Sequence, residues 1–162
     1  MRFPHLIILD PDGEIQRLLV DLAGEHRWLV RTPRTSDSAL SFAKERRPGV
    51  LFVRVEPGDE KDTAFALIAD AHRLCPDVPV VAASGAKLPD ADRVAWSAVL
   101  MDLGARYVLF PPLSRPVLED VTSGLMASSV RRVVGGDAPP PLPPARPAAE
   151  KVIDLADEDL EG

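Results

Sequence analysis

Val50-Leu51-Phe52-Val53-Arg54-Val55-Glu56-Pro57 is a run of strand-forming residues with a single cation near its end. Five of its first six side chains are apolar, and that continuity is the signature of a strand covered on both faces of a sheet. Arg47-Pro48-Gly49 supplies the break before it, and Pro57 closes it. A strand buried on both faces needs helices above and below, so the neighbouring segments decide the architecture.

Those segments alternate. Leu6-Ile7-Ile8-Leu9 is a first apolar run, followed after Asp12-Gly13 by Ile15, Leu18, Leu19 and Leu22 at helical spacing. Trp28-Leu29-Val30 reads as a second strand, and Thr35 or Ser36 caps a helix carrying Ala39, Leu40 and Ala43. After Val50–Val55 come a helical face of Ala64, Leu67, Ile68, Ala71 and Leu74 and a fourth strand, Val78-Pro79-Val80-Val81-Ala82. Val94, Ala95, Ala98, Val99 and Leu103 predict the face of a fourth helix ended by Gly104. Tyr107-Val108-Leu109-Phe110 predicts a fifth strand, and Val117, Leu118, Val121 and Leu125 line a last helix. Strict alternation of this kind predicts an α/β fold, a parallel sheet with helices on both faces. Ligand sites in such sheets gather at the carboxyl ends of the strands, here just after Leu9, Val53, Ala83 and Phe110.

The chain has 162 residues, 46% of them hydrophobic, enough for one domain with a buried core. Its net charge of −6 is uneven: residues 137–162 hold seven acids and two bases, while residues 1–136 hold 18 acids and 17 bases. A nearly neutral folded part argues against nucleic-acid binding, which needs a basic face. No apolar stretch approaches the length that spans a bilayer, and the amino terminus does not read as a secretory signal, so no membrane partner and a cytoplasmic location are expected. The lone Cys75 excludes an internal disulfide and reads as a small core filler.

In order and spacing, residues 5–132 resemble the receiver domain of two-component response regulators. The stretches that carry the resemblance are Ile8-Leu9-Asp10-Pro11-Asp12-Gly13-Glu14-Ile15, Pro48-Gly49-Val50-Leu51-Phe52-Val53, Val78-Pro79-Val80-Val81-Ala82-Ala83-Ser84, and Gly104-Ala105 with Leu109-Phe110-Pro111-Pro112-Leu113. The resemblance implies a flavodoxin-like, doubly wound sheet of five parallel strands in the order 2-1-3-4-5. It also implies a pocket with an acid pair for Mg²⁺, a phosphoacceptor aspartate, a hydroxyl and a lysine. Mg²⁺ demands oxygen ligands, and phosphoryl transfer rests on positioning and charge neutralisation. This chain keeps Asp10 but sets Pro11 beside it. Arg54 stands in the phosphoacceptor's place, Ser84 in the hydroxyl's, Pro111 in the lysine's, and Val108 in that of an aromatic residue that often swings on activation. A guanidinium cannot accept a phosphoryl group. The expected pocket is therefore degenerate, made of Asp10, Pro11, Asp12, Arg54, Glu56, Ser84 and Pro111, with no catalytic residue, bound metal or cofactor. Arg54 is expected to turn its charge into Asp10, Asp12 and Glu56, filling the space a metal takes elsewhere; the alternative is that it snorkels to solvent from the strand end.

Other chemistries fit less well. Asp10-Pro11-Asp12-Gly13-Glu14 looks like the start of a calcium loop, but Ile15 holds the position that needs glycine and a strand precedes it. Ser84-Gly85 lacks a Gly-x-Ser-x-Gly elbow, and Gly135-Gly136 follows a helix rather than a strand, so neither a hydrolase nor a phosphate loop is indicated. His26 and His72 read as ordinary surface or boundary residues.

The functional expectation is a pseudo-receiver: a non-enzymatic module that binds signalling proteins without phosphorylation. The alternative is an atypical receiver that still senses phosphate or a small ligand in a remodelled pocket. In the family, the fourth helix, fifth strand and fifth helix form the usual output surface, which nominates Trp96, Arg106 and Tyr107 as the contacts if that surface binds a partner; Trp96, on the fourth helix, reads first as a core residue. Arg27, Arg31, Arg34, Arg46 and Arg47 cluster around the second strand and helix, as a solvated face or a dock for an acidic partner such as the chain's own tail. Residues 133–149 read as a Gly/Pro-rich linker, with six prolines between 139 and 147. Residues 150–162 form an acidic tail whose Val152-Ile153-Asp154-Leu155 has the composition of a motif that adds to a sheet edge. That motif also looks like a SUMO-interacting motif.

Overall fold

Among the described residues, ten elements alternate: β1 (His5–Leu9), α1 (Glu14–His26), β2 (Leu29–Arg31), α2 (Ser36–Glu45), β3 (Gly49–Arg54), α3 (Thr63–Leu74), β4 (Val80–Ala83), α4 (Asp90–Leu103), β5 (Tyr107–Leu109) and α5 (Arg115–Val134). The computed structural model describes residues 3–45, 48–56, 63–85 and 87–134. The strands form one parallel sheet in the order β2-β1-β3-β4-β5, as the sequence predicts. Residues 135–162, which hold most of the expected linker 133–149 and Val152, Ile153, Asp154 and Leu155, lie outside the described residues. Helix α5 continues through Val134, two residues past the expected domain border.

Because successive strand residues point to opposite faces, the central strands feed two separate cores. Ile7, Leu51, Val53, Val80 and Ala82 pack with Ala39 and Ala43 of α2 and Leu67, Ile68 and Ala71 of α3. Leu6, Ile8, Val50, Phe52, Val81 and Ala83 pack with Ile15, Leu19 and Leu22 of α1 and Leu118, Leu125 and Met126 of α5. Cys75 is fully buried in the first core.

Strand limits follow from hydrogen bonding. Trp28, expected in the second strand, instead donates its N–H to Ala23 C=O at 2.9 Å and closes α1, so β2 starts at Leu29. Pro79 has no N–H for a ladder and only accepts, from Leu51 N–H at 3.0 Å, so β4 starts at Val80. Thr35 is the cap of α2, its hydroxyl accepting Ser38 N–H at 3.1 Å. Gly104 ends α4 with φ +126°, and a Cβ there would lie 2.4 Å from His72 Cβ. Only glycine fits that approach of the α4–β5 turn to α3.

Three helices depart from the expected faces: in α3 the last expected residue, Leu74, is exposed at the helix end. In α4, Val94 is 71% exposed and Val99 and Met101 are also exposed, while Trp96, Leu100 and Leu103 turn to the core. Apolar residues occupy both sides of this helix, so periodicity cannot choose between them. Burying the indole against Phe65, with ring centroids 5.4 Å apart, decides it. In α5, Val117 is exposed and the buried face includes the polar Thr122 and Ser129. The Ser129 hydroxyl accepts Gly49 N–H at 3.0 Å and donates to Asp77 C=O at 3.1 Å, tying α5 to the amino ends of β3 and β4. No helix among the described residues is long and apolar enough to cross a membrane.

Candidate functional site at the carboxyl edge of the sheet

Asp10 follows β1 and Arg54 ends β3, so parallel pairing of the two strands sets them side by side at the carboxyl edge. The Asp10 side chain is 0% exposed, and its fixed position has a clear source. One carboxylate oxygen accepts the N–H of Ile15 at 2.7 Å and Gln16 at 3.4 Å, and the other accepts Asp12 N–H at 3.2 Å. Backbone donors at the start of α1 thus hold the carboxylate, as a helix amino end favours negative charge.

The Arg54 side chain is 12% exposed and reaches across this edge. Its NH1 lies 3.4 Å from Asp10 Oδ1, 3.2 Å from Asp12 Oδ2 and 3.4 Å from Glu14 Oε1. Its Nε donates to Glu56 Oε2 at 2.6 Å, and that oxygen also accepts Gly85 N–H at 2.9 Å. Burial works to lower the guanidinium pKa, but the hydrogen bond and charge of Glu56, with the charges of Asp10 and Asp12, hold it above its ordinary value. The cation is fixed by charge-assisted bonds on several sides rather than extended into solvent.

Arg54 separates two spaces. A cavity of about 260 Å³ is lined by Glu14, Ser84, Gly85, Pro111, Pro112 and Arg54. On the other side, Arg54 and Pro11 line a shallower hollow with Arg34, Thr35 and Thr63. Pro11 lines this hollow and Ser84 and Pro111 line the cavity, with Arg54 common to both. Ser84 is buried, its N–H donating to Leu109 C=O at 2.9 Å. A guanidinium here can hold anions and carboxylates, but it offers no nucleophilic oxygen.

Sequence reasoning missed Glu14 and Gly85. Glu14 lies four residues beyond Asp10 in the first turn of α1, on the side facing β3. Gly85 follows Ser84, and a Cβ at that position would fall 1.9 Å from Arg54 NH2. A glycine after β4 is thus the space into which the long cation fits.

The nominated partner surface divides. Trp96 is half-buried, its indole packed on Phe65 and its N–H buried with no hydrogen-bond partner among the described residues, which favours the core reading of this residue over the partner-contact one. Tyr107 is 44% exposed and Arg106 is exposed beside it. Between α4 and β5 runs an open groove lined by Val94, Ala98, Met101, Val108 and Phe110, with Arg93 lying 5.6 Å over the Phe110 ring.

No protein-family model matches the chain. The nitrogen assimilation regulatory protein NtrX of Azorhizobium caulinodans is 29% identical over 80 residues, covering 49% of this chain. The chain spans 18% of that curated relative's length. Among solved structures, NtrX from Brucella abortus matches 83% of this chain at TM-score 0.62 and 23% identity, over 29% of its own length. FixJ-N matches 78% of the chain and 95% of itself at TM-score 0.61 and 18% identity. A CheY-like response regulator receiver domain protein from Methanospirillum hungatei matches 81% of the chain and 99% of itself at TM-score 0.59 and 17% identity. The chain has the fold of response-regulator receiver domains.

Proposed function

We propose that this chain is a pseudo-receiver, a phosphorylation-independent protein-interaction module of a signalling or regulatory pathway. The observation that carries the reading is Arg54. Where the receiver fold needs a nucleophilic carboxylate, a nearly buried guanidinium is bound to Asp10, Asp12, Glu14 and Glu56 within 3.4 Å. It fills the space of a divalent ion and compensates the same carboxylates, so the edge keeps one charge arrangement and has nothing to switch it. The receiver fold and the similarity to a nitrogen regulatory protein over 80 residues support a place in signalling. The α4–β5 groove, with Val94 and Met101 exposed and Arg106 and Tyr107 beside it, is the surface best suited to a protein partner.

The test is phosphoryl transfer from acetyl phosphate with Mg²⁺. The wild-type chain is expected to take up no label. Arg54→Asp is expected to stay unlabelled as well, because Pro11 and Pro111 remain where an acid and a lysine would be needed. Stoichiometric labelling of either protein overturns the reading. A change in tryptophan fluorescence that requires both Mg²⁺ and a phosphate mimic would instead favour an atypical receiver sensing a small anion in the 260 Å³ cavity beside Ser84.

A further inference from the structure

We propose that the cavity beside Arg54 receives a primary alkylammonium group, the chemistry that a lysine side chain or a small free amine carries. The cavity, about 260 Å³, opens between the first turn of α1 and the Pro111-Pro112-Leu113 turn that follows β5. Drug-sized ligands fill roughly 300–1,000 Å³, so this space suits one side chain or a molecule of that size. One wall is hydrocarbon. Ile15 is buried, Leu18 and Leu113 are half-buried and pack on the core beneath α1 and α5, and two proline rings complete it. The other wall is polar, made by Glu14, Ser84, Gly85 and Arg54. A short alkyl chain with one polar head matches both walls.

Charge decides the head. Among the described residues Arg54 is the only base in the lining, and its charge already faces Asp10, Asp12, Glu14 and Glu56. Four carboxylates on one guanidinium leave this edge acidic, and an anion would add to the excess. Of the four, Glu14 alone lines the cavity. Its Oε1 meets NH1 at 3.4 Å, a long contact, and its side chain is 60% exposed. A carboxylate so placed keeps acceptor capacity for a second cation. Glu56 differs: one of its oxygens is held by Arg54 Nε at 2.6 Å and by Gly85 N–H at 2.9 Å. A cation coming from solvent meets Glu14 before the guanidinium, whose side chain is 12% exposed. Arg17, three residues on, lies against Gly13 and is not in the lining. A primary ammonium is a compact charge with three donors, and its stem buries along apolar surface while the head stays at the polar lip.

Amide NMR titrations of the full chain test this with three probes of similar size at matched ionic strength: 1-butylammonium, 1-butanol and butyrate. The amides of Glu14, Gly85 and Leu113 are expected to shift together and saturably with butylammonium. Its affinity is expected to exceed that of butanol about fivefold, the most that a partly exposed ion pair supplies. Butyrate is expected to leave these amides in place. In Glu14→Gln, butylammonium is expected to fall to the level of butanol. Lysine amide acetylated at its α-nitrogen separates the sources: binding as strong as butylammonium's means a protein side chain, and exclusion means a free amine. The proposal is overturned if butyrate shifts these amides as strongly as butylammonium, if no probe gives a saturable shift, or if the preference survives Glu14→Gln. Shifts confined to Asp12 and Asp37 also overturn it, since they mean counter-ions on an acidic surface only. It rests on Arg54 being held among these carboxylates and not on the absence of phosphoryl transfer. Acetyl phosphate labelling leaves the order of the probes untouched, so the two readings fail separately.

Discussion

The residue that most determines this molecule's behaviour is Arg54, because its charge is surrounded by carboxylates. The Asp10 side chain is fully buried and keeps its three backbone donors without Arg54, but among the described residues no other cation pairs with its negative charge. Arg54→Met is therefore expected to lower the unfolding free energy by about 1–3 kcal/mol, the range for unpairing a buried charged group that remains hydrogen-bonded. Gly85→Ala is expected to cost a comparable amount by another route, since its Cβ would collide with NH2 and push the guanidinium off Glu56. The two losses share one cause, so the double variant should be no less stable than the worse single one. Urea melts of the four proteins check this, and simple addition of the two losses would refute the shared cause. That Arg54 would face Asp10, Asp12 and Glu56 was readable from its place at a strand end among acids. The parts played by Glu14 and Gly85 were not, because they depend on how α1 and the β4 end approach the guanidinium in space.

At the level of elements, the helices hold the sheet edge in position through a few polar ties. Helices α1 and α5 are joined by the Arg115–Glu25 pair and by His26, whose Nε2 lies 3.0 Å from Glu119 Oε2 while its ring stacks on Trp28 at 4.4 Å. The hydrogen bond from Arg115, and then its charge, hold the Glu25 carboxyl below its ordinary pKa. A carboxyl depressed in the folded state stabilises the fold above its unfolded pKa, and the contribution disappears as pH falls through the folded value. Both groups are solvent-exposed, so the effect on stability is small and the titration itself is the better readout. Carboxyl-carbon NMR is expected to show Glu25 titrating below the free-glutamate value in the wild type and close to it in Arg115→Ala. Unchanged titration in the variant would remove the pair from the account. Helix α4 shows where element-level reading stops: its apolar residues lie on two sides, and only packing against Phe65 shows that Trp96, Leu100 and Leu103 are the inner ones.

For the whole molecule, one sheet separates two cores, with Trp28 in the core beneath α1 and α5 and Trp96 packed against the core beneath α2 and α3. Because β1, β3 and β4 contribute to both, the two should melt as a single unit. Fluorescence of Trp28→Phe and Trp96→Phe proteins, each reporting one core, is expected to give coincident urea transitions after correction for the substitution's own cost; separate transitions would mean that the two layers unfold independently. The alternation of buried strands and amphipathic helices was enough to set the class and the edge on which Arg54 stands, because local periodicity and the right-handed crossover leave few ways to cover such strands; the strand order came from the resemblance to receiver domains. The same resemblance placed a cation, Arg54, where that family's chemistry needs a carboxylate. The inner side of α4, the packing of Trp96 on Phe65 and the fit of Gly85 against the guanidinium were decided by the tertiary structure. Each depends on which side chains meet across the sheet, and contacts between segments distant in sequence leave no periodic trace along the chain.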